Sequence, residues 1–198
     1  MKRKMLKKTI VFVCTGNTCR SPMAEAIFRK LVQDLGLVKL KVCSAGVRAK
    51  KGDILNEKSA RVLEENGLAI TEFSSKKIDK RTLQRSFAVI CMTDKQRDFV
   101  MEMRWQALRE KEMDVDEIEN NVYSFSELVG YEVLDPYGKD IDCYRYVFQL
   151  LIGGMQTIVD KLFPESIRKK LRETPLKKSV SNAKNTKEKA EKASGAIN

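Results

Sequence analysis

The sequence predicts an α/β domain built on a parallel sheet, on three observations. Short, apolar, β-branched runs recur along the chain, at 8–14, 40–44, 87–92 and 122–125. Segments with helical spacing of apolar residues separate them, and such alternation means a parallel sheet covered on both faces. The 198 residues, 42% hydrophobic and 33% charged, suffice for one soluble domain with a real core.

The elements follow in order. KTIVFVC, Lys8–Cys14, reads as a buried parallel strand. Ser21-Pro22 reads as an N-cap with proline at the first helical position, and Met23, Ala26, Ile27, Lys30 and Leu31 continue at helical spacing until Gly36. Leu40–Ser44 is a second strand, after which Asn56 caps a helix reaching Asn66-Gly67, with Ala60, Leu63 and Leu68 on one face. Phe87–Met92 is the third strand and is followed by a helix from Asp94 to about Met103. Val122–Phe125 is a short fourth strand. Asp135-Pro136-Tyr137-Gly138 is a loop, because proline disfavours helix at the residue before it. A long last helix carries Val147, Leu150, Leu151, Ile158 and Leu162 on its inner face. Residues 104–121 form a charged insertion, expected to be helical in part, and the domain is expected to span 8–163. The Lys-rich stretch 164–198 cannot bury enough apolar surface to fold and is expected to be a disordered tail.

Composition removes several function classes. With no histidine, Ser-His-Asp hydrolases, histidine phosphatases and His-ligated metals are excluded. No Cys-x2-Cys pair exists for zinc, so no metal and no cofactor is expected. Five unevenly placed cysteines do not make a secreted disulfide framework. The start MKRKMLKKTIVFVC mimics a signal peptide, but its apolar run, Ile10 to Val13, is too short. Gln149, Gln156 and Asp160 interrupt the best membrane-span candidate, so a cytoplasmic protein with no membrane partner is expected. The net charge of +11 suggests nucleic acid until it is located. Residues 1–8 carry five cations and no acid, 164–198 carry a net +6, and the 155 residues between hold 23 charges of each sign. The folded part has no overall basic bias, and lysine tracts without interleaved aromatics read as solvated tail. Nucleic acid is therefore not an expected partner, and the oligomeric state is left open.

Parallel sheets bind ligands beyond the carboxyl ends of their strands, where Cys14 lies. It begins CTGNTCR, a Cys-x5-Arg motif for which five cysteines and thirteen arginines give about 0.33 chance matches. A second match, CMTDKQR from Cys91 to Arg97, serves as an internal control. It has no glycine and puts Asp94 where an anion would sit. CTGNTCR has no acid, and Gly16 and Asn17 are the residue types that most readily take positive φ, so the backbone N–H groups of Thr15, Gly16, Asn17, Thr18 and Cys19 can turn inward as an anion nest. Arg20 can grip two phosphate oxygens with its fork. Ser21 can offer its hydroxyl to the Cys14 sulfur. Thiols at a helix N-terminus beside a cation ionise far more readily than free thiols, so Cys14 is expected to be the nucleophile, forming a phosphocysteine intermediate. The leaving group needs a proton, and Asp135, Asp140 and Asp142 are equal candidates for the acid on the residues alone.

VFVCTGNTCRSPMAEAIF resembles the phosphate loop and first helix of the low-molecular-weight protein tyrosine phosphatases. The likeness continues in VCSAG (42–46), ENGLAI (65–70), FSSKKI (73–78), FAVICMT (87–93) and LDPYGKDIDCYR (134–145), covering about 8–163. It implies a three-layer, flavodoxin-like (phosphotyrosine phosphatase I-like) fold with a four-stranded parallel sheet. It also implies that Asp135 is the general acid and that the substrate is a phosphorylated protein. The arsenate-reductase branch needs two further cysteines close together after the third strand; Cys91 has no near partner, and that branch is set aside. The tyrosine-phosphatase branch usually carries an apolar residue in place of Thr18, whereas the bacterial protein-arginine-phosphatase branch has threonine in a loop reading CTGNTCRS. A hydroxyl there can pair with the guanidinium of phosphoarginine.

The chain departs from the family at Val47-Arg48-Ala49-Lys50-Lys51, where an aromatic wall is often found and here the wall is basic. Tyr137 remains as one aromatic wall. Cys19, bordering the same loop as Cys14, is a candidate partner for a reversible disulfide that shields the thiolate from over-oxidation, while Cys43 and Cys143 read as core residues. A phospho-binding module without turnover is the competing class, but binding needs neither nucleophile nor acid.

Overall fold

The computed structural model describes residues 8–37, 40–109 and 121–173; the remaining N-terminal residues, residues 38 and 39, 110–120 of the expected insertion and 174–198 of the expected tail lie outside the described residues. Four parallel strands form one sheet in the order β2-β1-β3-β4: β1 (Lys8–Cys14), β2 (Leu40–Gly46), β3 (Ala88–Cys91) and β4 (Val122–Ser124). β1 is bonded on both sides, so its backbone groups are satisfied and its side chains alternate between two cores. Ile10 and Phe12 face α1 (Arg20–Asp34), α2 (Glu57–Glu65) and α6 (Ile141–Leu162). Val11 and Val13 face α3 (Lys80–Arg85) and α4 (Asp94–Arg109). All four are fully buried, and each such side chain stabilises the fold by roughly 1.5–3 kcal/mol. The order reverses at β1, so β2 leaves to one side and β3 to the other. The crevice this opens lies at the carboxyl end of β1, at Cys14.

Several boundaries move. β2 runs two residues past Ser44 because Gly46 pairs with Cys14 across the sheet and also bonds the Lys76 carbonyl at 2.8 Å. α1 begins at Arg20, so Cys19 is its N-cap and Ser21 lies inside the helix; the Ser21 hydroxyl is drawn instead to the loop. α3 was not legible, since KRTLQR turns only Leu83 into the core; the Asp79 carboxylate caps it through the Thr82 N–H at 2.6 Å. α4 continues to Arg109 and so takes in the start of the expected insertion. Phe125 does not close β4 but opens α5 (Phe125–Val129), because Ser124 and Glu127 form a reciprocal capping box.

α6 passes through Gly153-Gly154 unbroken, and a Cβ at Gly154 would stand 2.4 Å from the Phe125 ring. The absence of a side chain there lets α5 and α6 close up. The chain folds past the expected boundary at 163. α7 (Glu165–Glu173) follows at once, against the expectation that the disordered tail begins at 164. Phe163 is buried, Ile167 packs on the same core, and Arg168 Nε donates to the Phe163 carbonyl at 2.7 Å. An amphipathic turn with one core contact is enough to extend the domain.

Candidate active site

Cys14 ends β1 with its side chain almost wholly buried. Its sulfur receives the Asn17 backbone N–H at 3.3 Å and lies 3.0 Å from the Ser21 hydroxyl. The loop above it is held from outside. Val47 and Arg48 N–H groups bond the carbonyls of Cys14 and Thr15 at 3.0 and 2.9 Å, and the Asn56 N–H bonds the Thr18 carbonyl at 3.0 Å. With those carbonyls engaged outward, the loop keeps its turn.

Asn17 is the post of this structure. It alone among the described non-glycine residues has positive φ, at 56°, while Gly16 does not use the freedom it was expected to use. Its buried side chain donates to the Ser21 and Ser44 hydroxyls at 3.0 and 2.9 Å and accepts the Lys76 N–H at 2.9 Å. Ser44 in turn donates to Glu25 at 2.6 Å. Gly46 closes the packing, since a Cβ there would stand 2.6 Å from the Thr15 carbonyl oxygen and 2.8 Å from the Asn17 nitrogen.

Arg20, only 4% exposed, places Nη2 at 2.5 Å from Asp135 Oδ2, while Asp135 is 54% exposed. Nη1 reaches the Val133 carbonyl at 3.5 Å. The Asp135-Pro136-Tyr137-Gly138 loop therefore stands over the phosphate loop, stiffened where Asp135 Oδ1 accepts the Tyr137 N–H at 3.2 Å. The other two aspartates are engaged elsewhere: Asp140 caps α6 through the Cys143 N–H at 2.9 Å, and Asp142 pairs with Arg145 at 2.8 Å. Tyr137 is exposed, and Thr18 is half-buried on the loop. Cys19 is buried with its sulfur 3.6 Å from the Tyr144 hydroxyl.

The control motif has none of this. Cys91 is fully buried in β3, and burial pushes its thiol up, away from ionisation. Arg97 is paired with Asp98 at 2.8 Å and with Glu127. Cys43, half-buried on β2, is likewise pushed up to about 11, chiefly by burial.

Residue types did not single out four supporting groups. Glu25, Ser44 and Gly46 brace Asn17 and the loop turn, while Gln96 Nε2 donates to the Thr15 hydroxyl at 3.0 Å. The SAG run was a signal for Ser44 and Gly46; nothing in the sequence marked Gln96 or Glu25. Among the described residues no helix is long and apolar enough to cross a membrane, and no group of three or more His, Cys, Asp or Glu side chains could hold a metal ion.

A strand-end cysteine whose sulfur meets a loop N–H, with an arginine six residues on, in a doubly covered parallel sheet, is the architecture of the cysteine-based phosphatases. Residues 9–173 match the family described as low molecular weight phosphotyrosine protein phosphatase, and the chain belongs to it. It is 32% identical over 136 residues to the protein-arginine-phosphatase of Bacillus subtilis (strain 168), covering 69% of this chain and 84% of that one. It is 34% identical over 157 residues to the low molecular weight protein-tyrosine-phosphatase PtpB of Staphylococcus haemolyticus (strain JCSC1435), covering 75% and 97%. Among solved structures, the arginine phosphatase YwlE, as a Cys-to-Ser mutant with a phosphorylated active-site serine, superposes with a TM-score of 0.66 at 28% identity, covering 78% of this chain and 95% of that one. The chain is a hydrolase of this family, working by cysteine-based phosphatase chemistry.

Proposed function

We propose that the protein hydrolyses phosphoarginine in proteins through a phosphocysteine intermediate. The Cys14 thiolate attacks phosphorus in line, the P–N bond breaks, and Asp135 gives its proton to the departing guanidine nitrogen. Water then attacks the phosphocysteine with Asp135 as base, releasing phosphate and restoring the thiolate. Arg20 and the N–H groups of Thr15, Gly16, Asn17, Thr18 and Cys19 hold the equatorial oxygens, and Asn17 and Ser21 support the loop. An arriving phosphoryl group competes with Asp135 for the Arg20 guanidinium, which frees the carboxyl for the leaving group. The phosphorylated serine in the YwlE mutant supports a covalent intermediate on the residue equivalent to the nucleophile. Cys14 and Cys19, on one loop, are proposed as a protective redox pair.

The observation that carries the choice of phosphoarginine is Thr18 in a loop reading CTGNTCRS, together with the likeness to the Bacillus subtilis protein-arginine-phosphatase. A planar cationic guanidinium finds an acceptor in the Thr18 hydroxyl on one side and in the carbonyl oxygen of the protonated Asp135 carboxyl on the other, whose O–H faces the departing nitrogen. A second reading, phosphotyrosine, is favoured by the likeness to PtpB and by the basic stretch Arg48–Lys51, which does not welcome a guanidinium; Tyr137 would then be the aromatic wall. Losing one polar partner in a closed site costs ~1–3 kcal/mol, or about tenfold to a hundredfold in rate. Thr18→Ile is thus expected to depress hydrolysis of phosphoarginine peptides and to spare or raise that of matched phosphotyrosine peptides. A wild type inert on phosphoarginine, or both activities moving together, would overturn the arginine reading and leave the tyrosine reading standing.

A further inference from the structure

We infer that a basic shoulder beside the phosphate loop, formed by Arg48, Lys50, Lys51, Lys76 and Lys77, docks acidic residues flanking the phosphorylated side chain of a protein substrate. The inference rests on the phosphatase reading of the Cys14 site and adds a substrate class to it.

The charge is concentrated against a neutral background. Residues 9–163 carry equal numbers of the two signs, yet 47–53 hold three cations and one acid, Asp53, and 73–78 hold two cations and none. Both segments are tied to the site by backbone bonds. Arg48 N–H meets the Thr15 carbonyl at 2.9 Å, Gly46 N–H meets the Lys76 carbonyl at 2.8 Å, and the Lys76 N–H meets Asn17 at 2.9 Å. The segments also clasp each other, with Ser75 N–H on the Asp53 carbonyl at 2.9 Å and the Ser75 hydroxyl on the Lys50 carbonyl. The backbone is therefore fixed while the side chains are not consumed.

All five are exposed, and among the described residues none has a carboxylate partner within ion-pair distance. Elsewhere Arg29, Arg61, Arg97 and Arg145 are each paired with a carboxylate. Five unpaired cations on two clasped segments repel one another, and acidic groups from a ligand relieve that repulsion. Arg48 and Lys76 are bonded to the phosphate loop itself, at Thr15 and Asn17, and the segments that carry the other three are clasped to theirs, so a peptide whose phosphorylated residue enters the loop carries its neighbours onto the shoulder. The patch is short and has no aromatics to stack bases, which favours an acidic peptide over nucleic acid. The basic wall that argues against a guanidinium at the rim then serves the residues beside the phosphorylated one.

The test uses the full chain and peptides carrying one phosphorylated residue, either phosphoarginine or phosphotyrosine, flanked by Glu, Ala or Lys. The Glu set is expected to exceed the Ala set by roughly three- to tenfold in kcat/KM at low salt, with the advantage shrinking as salt is raised. Lys50→Glu combined with Lys51→Glu is expected to erase or invert the Glu-over-Lys order. Peptide affinities by fluorescence anisotropy read the shoulder independently of turnover. Equal affinities and rates across the three flanks would overturn docking, as would a preference that survives the charge reversal or a single-stranded RNA that displaces the Glu peptide through the same two lysines. Hydrolysis of p-nitrophenyl phosphate separates the two failures. Turnover without flank preference sinks the docking alone, and no turnover at all sinks the phosphatase reading beneath it.

Discussion

Replacing Asn17 by alanine and, separately, by glycine tests how the phosphate loop is held. Either change removes three hydrogen bonds of a buried side chain, to Ser21, Ser44 and the Lys76 N–H. At a net ~1 kcal/mol each, this costs about 3 kcal/mol. Alanine must also hold φ at 56°, for roughly 1–2 kcal/mol more. Glycine holds that φ freely but loses roughly 0.5–1 kcal/mol through its greater chain entropy when unfolded. The expected order is wild type, then glycine, then alanine, with the last two separated by about 0.5–1 kcal/mol. Against a total of ~5–15 kcal/mol for an ordinary domain, both losses are measurable. Turnover falls further than stability suggests, because the Asn17 N–H that meets the Cys14 sulfur at 3.3 Å shifts with the backbone, and ~1 Å of misplacement can cost ~10²-fold. Urea titrations at constant m-value give the stabilities, and p-nitrophenyl phosphate gives kcat. Alanine as stable as glycine would refute the left-handed argument. Either variant within about 0.5 kcal/mol of wild type would refute the network.

Cys14→Ser is expected to abolish turnover with the fold intact, since serine stays protonated there. Cys91→Ser instead buries a new hydroxyl in the core and lowers the melting temperature without lowering turnover per folded molecule; a comparable loss of kcat would mean the wrong Cys-x5-Arg has been assigned. Asp135→Asn is expected to slow a poor leaving group by about 10²–10⁴-fold and p-nitrophenyl phosphate far less, so an equal loss on both would indicate a structural role. Asp79→Ala removes the α3 cap, for ~1 kcal/mol. Bonds from the Thr82 side chain and backbone hold the Asp79 carboxyl below its usual range, so this contribution is present above the unfolded value of ~3.9 and lost as pH falls through the lower folded one. The gap between the denaturation midpoints of wild type and variant is expected to close in acid; a gap unchanged with pH would mean the cap does not depend on the charge.

The strands and the loop were legible because their signals are local. Lys8–Cys14 shows its burial as an unbroken apolar run, Asn56 shows a cap by its position, and CTGNTCR shows its turn by Asn17, a residue type that readily takes positive φ. α3 and α7 were not legible, because each turns few apolar residues inward, and Leu83 or Ile167 gains meaning only from the surface it meets. The Ser21 misreading has the same root: Ser-Pro is a good cap locally, but Asn17 and Cys14 compete for that hydroxyl.

The order of residue types along the chain was enough to specify a parallel α/β sheet, a strand-end cysteine and an arginine six positions on, because backbone preference and burial act over a few neighbours. Bringing Asp135, rather than Asp140 or Asp142, against Arg20 was beyond it, as was recruiting Glu25, Ser44, Gly46 and Gln96 to brace the loop. Those placements depend on contacts between segments 19 to 115 residues apart. Such contacts come into being only when the sheet order brings the carboxyl ends of β1, β2 and β3 together, and no local rule encodes the distance between them.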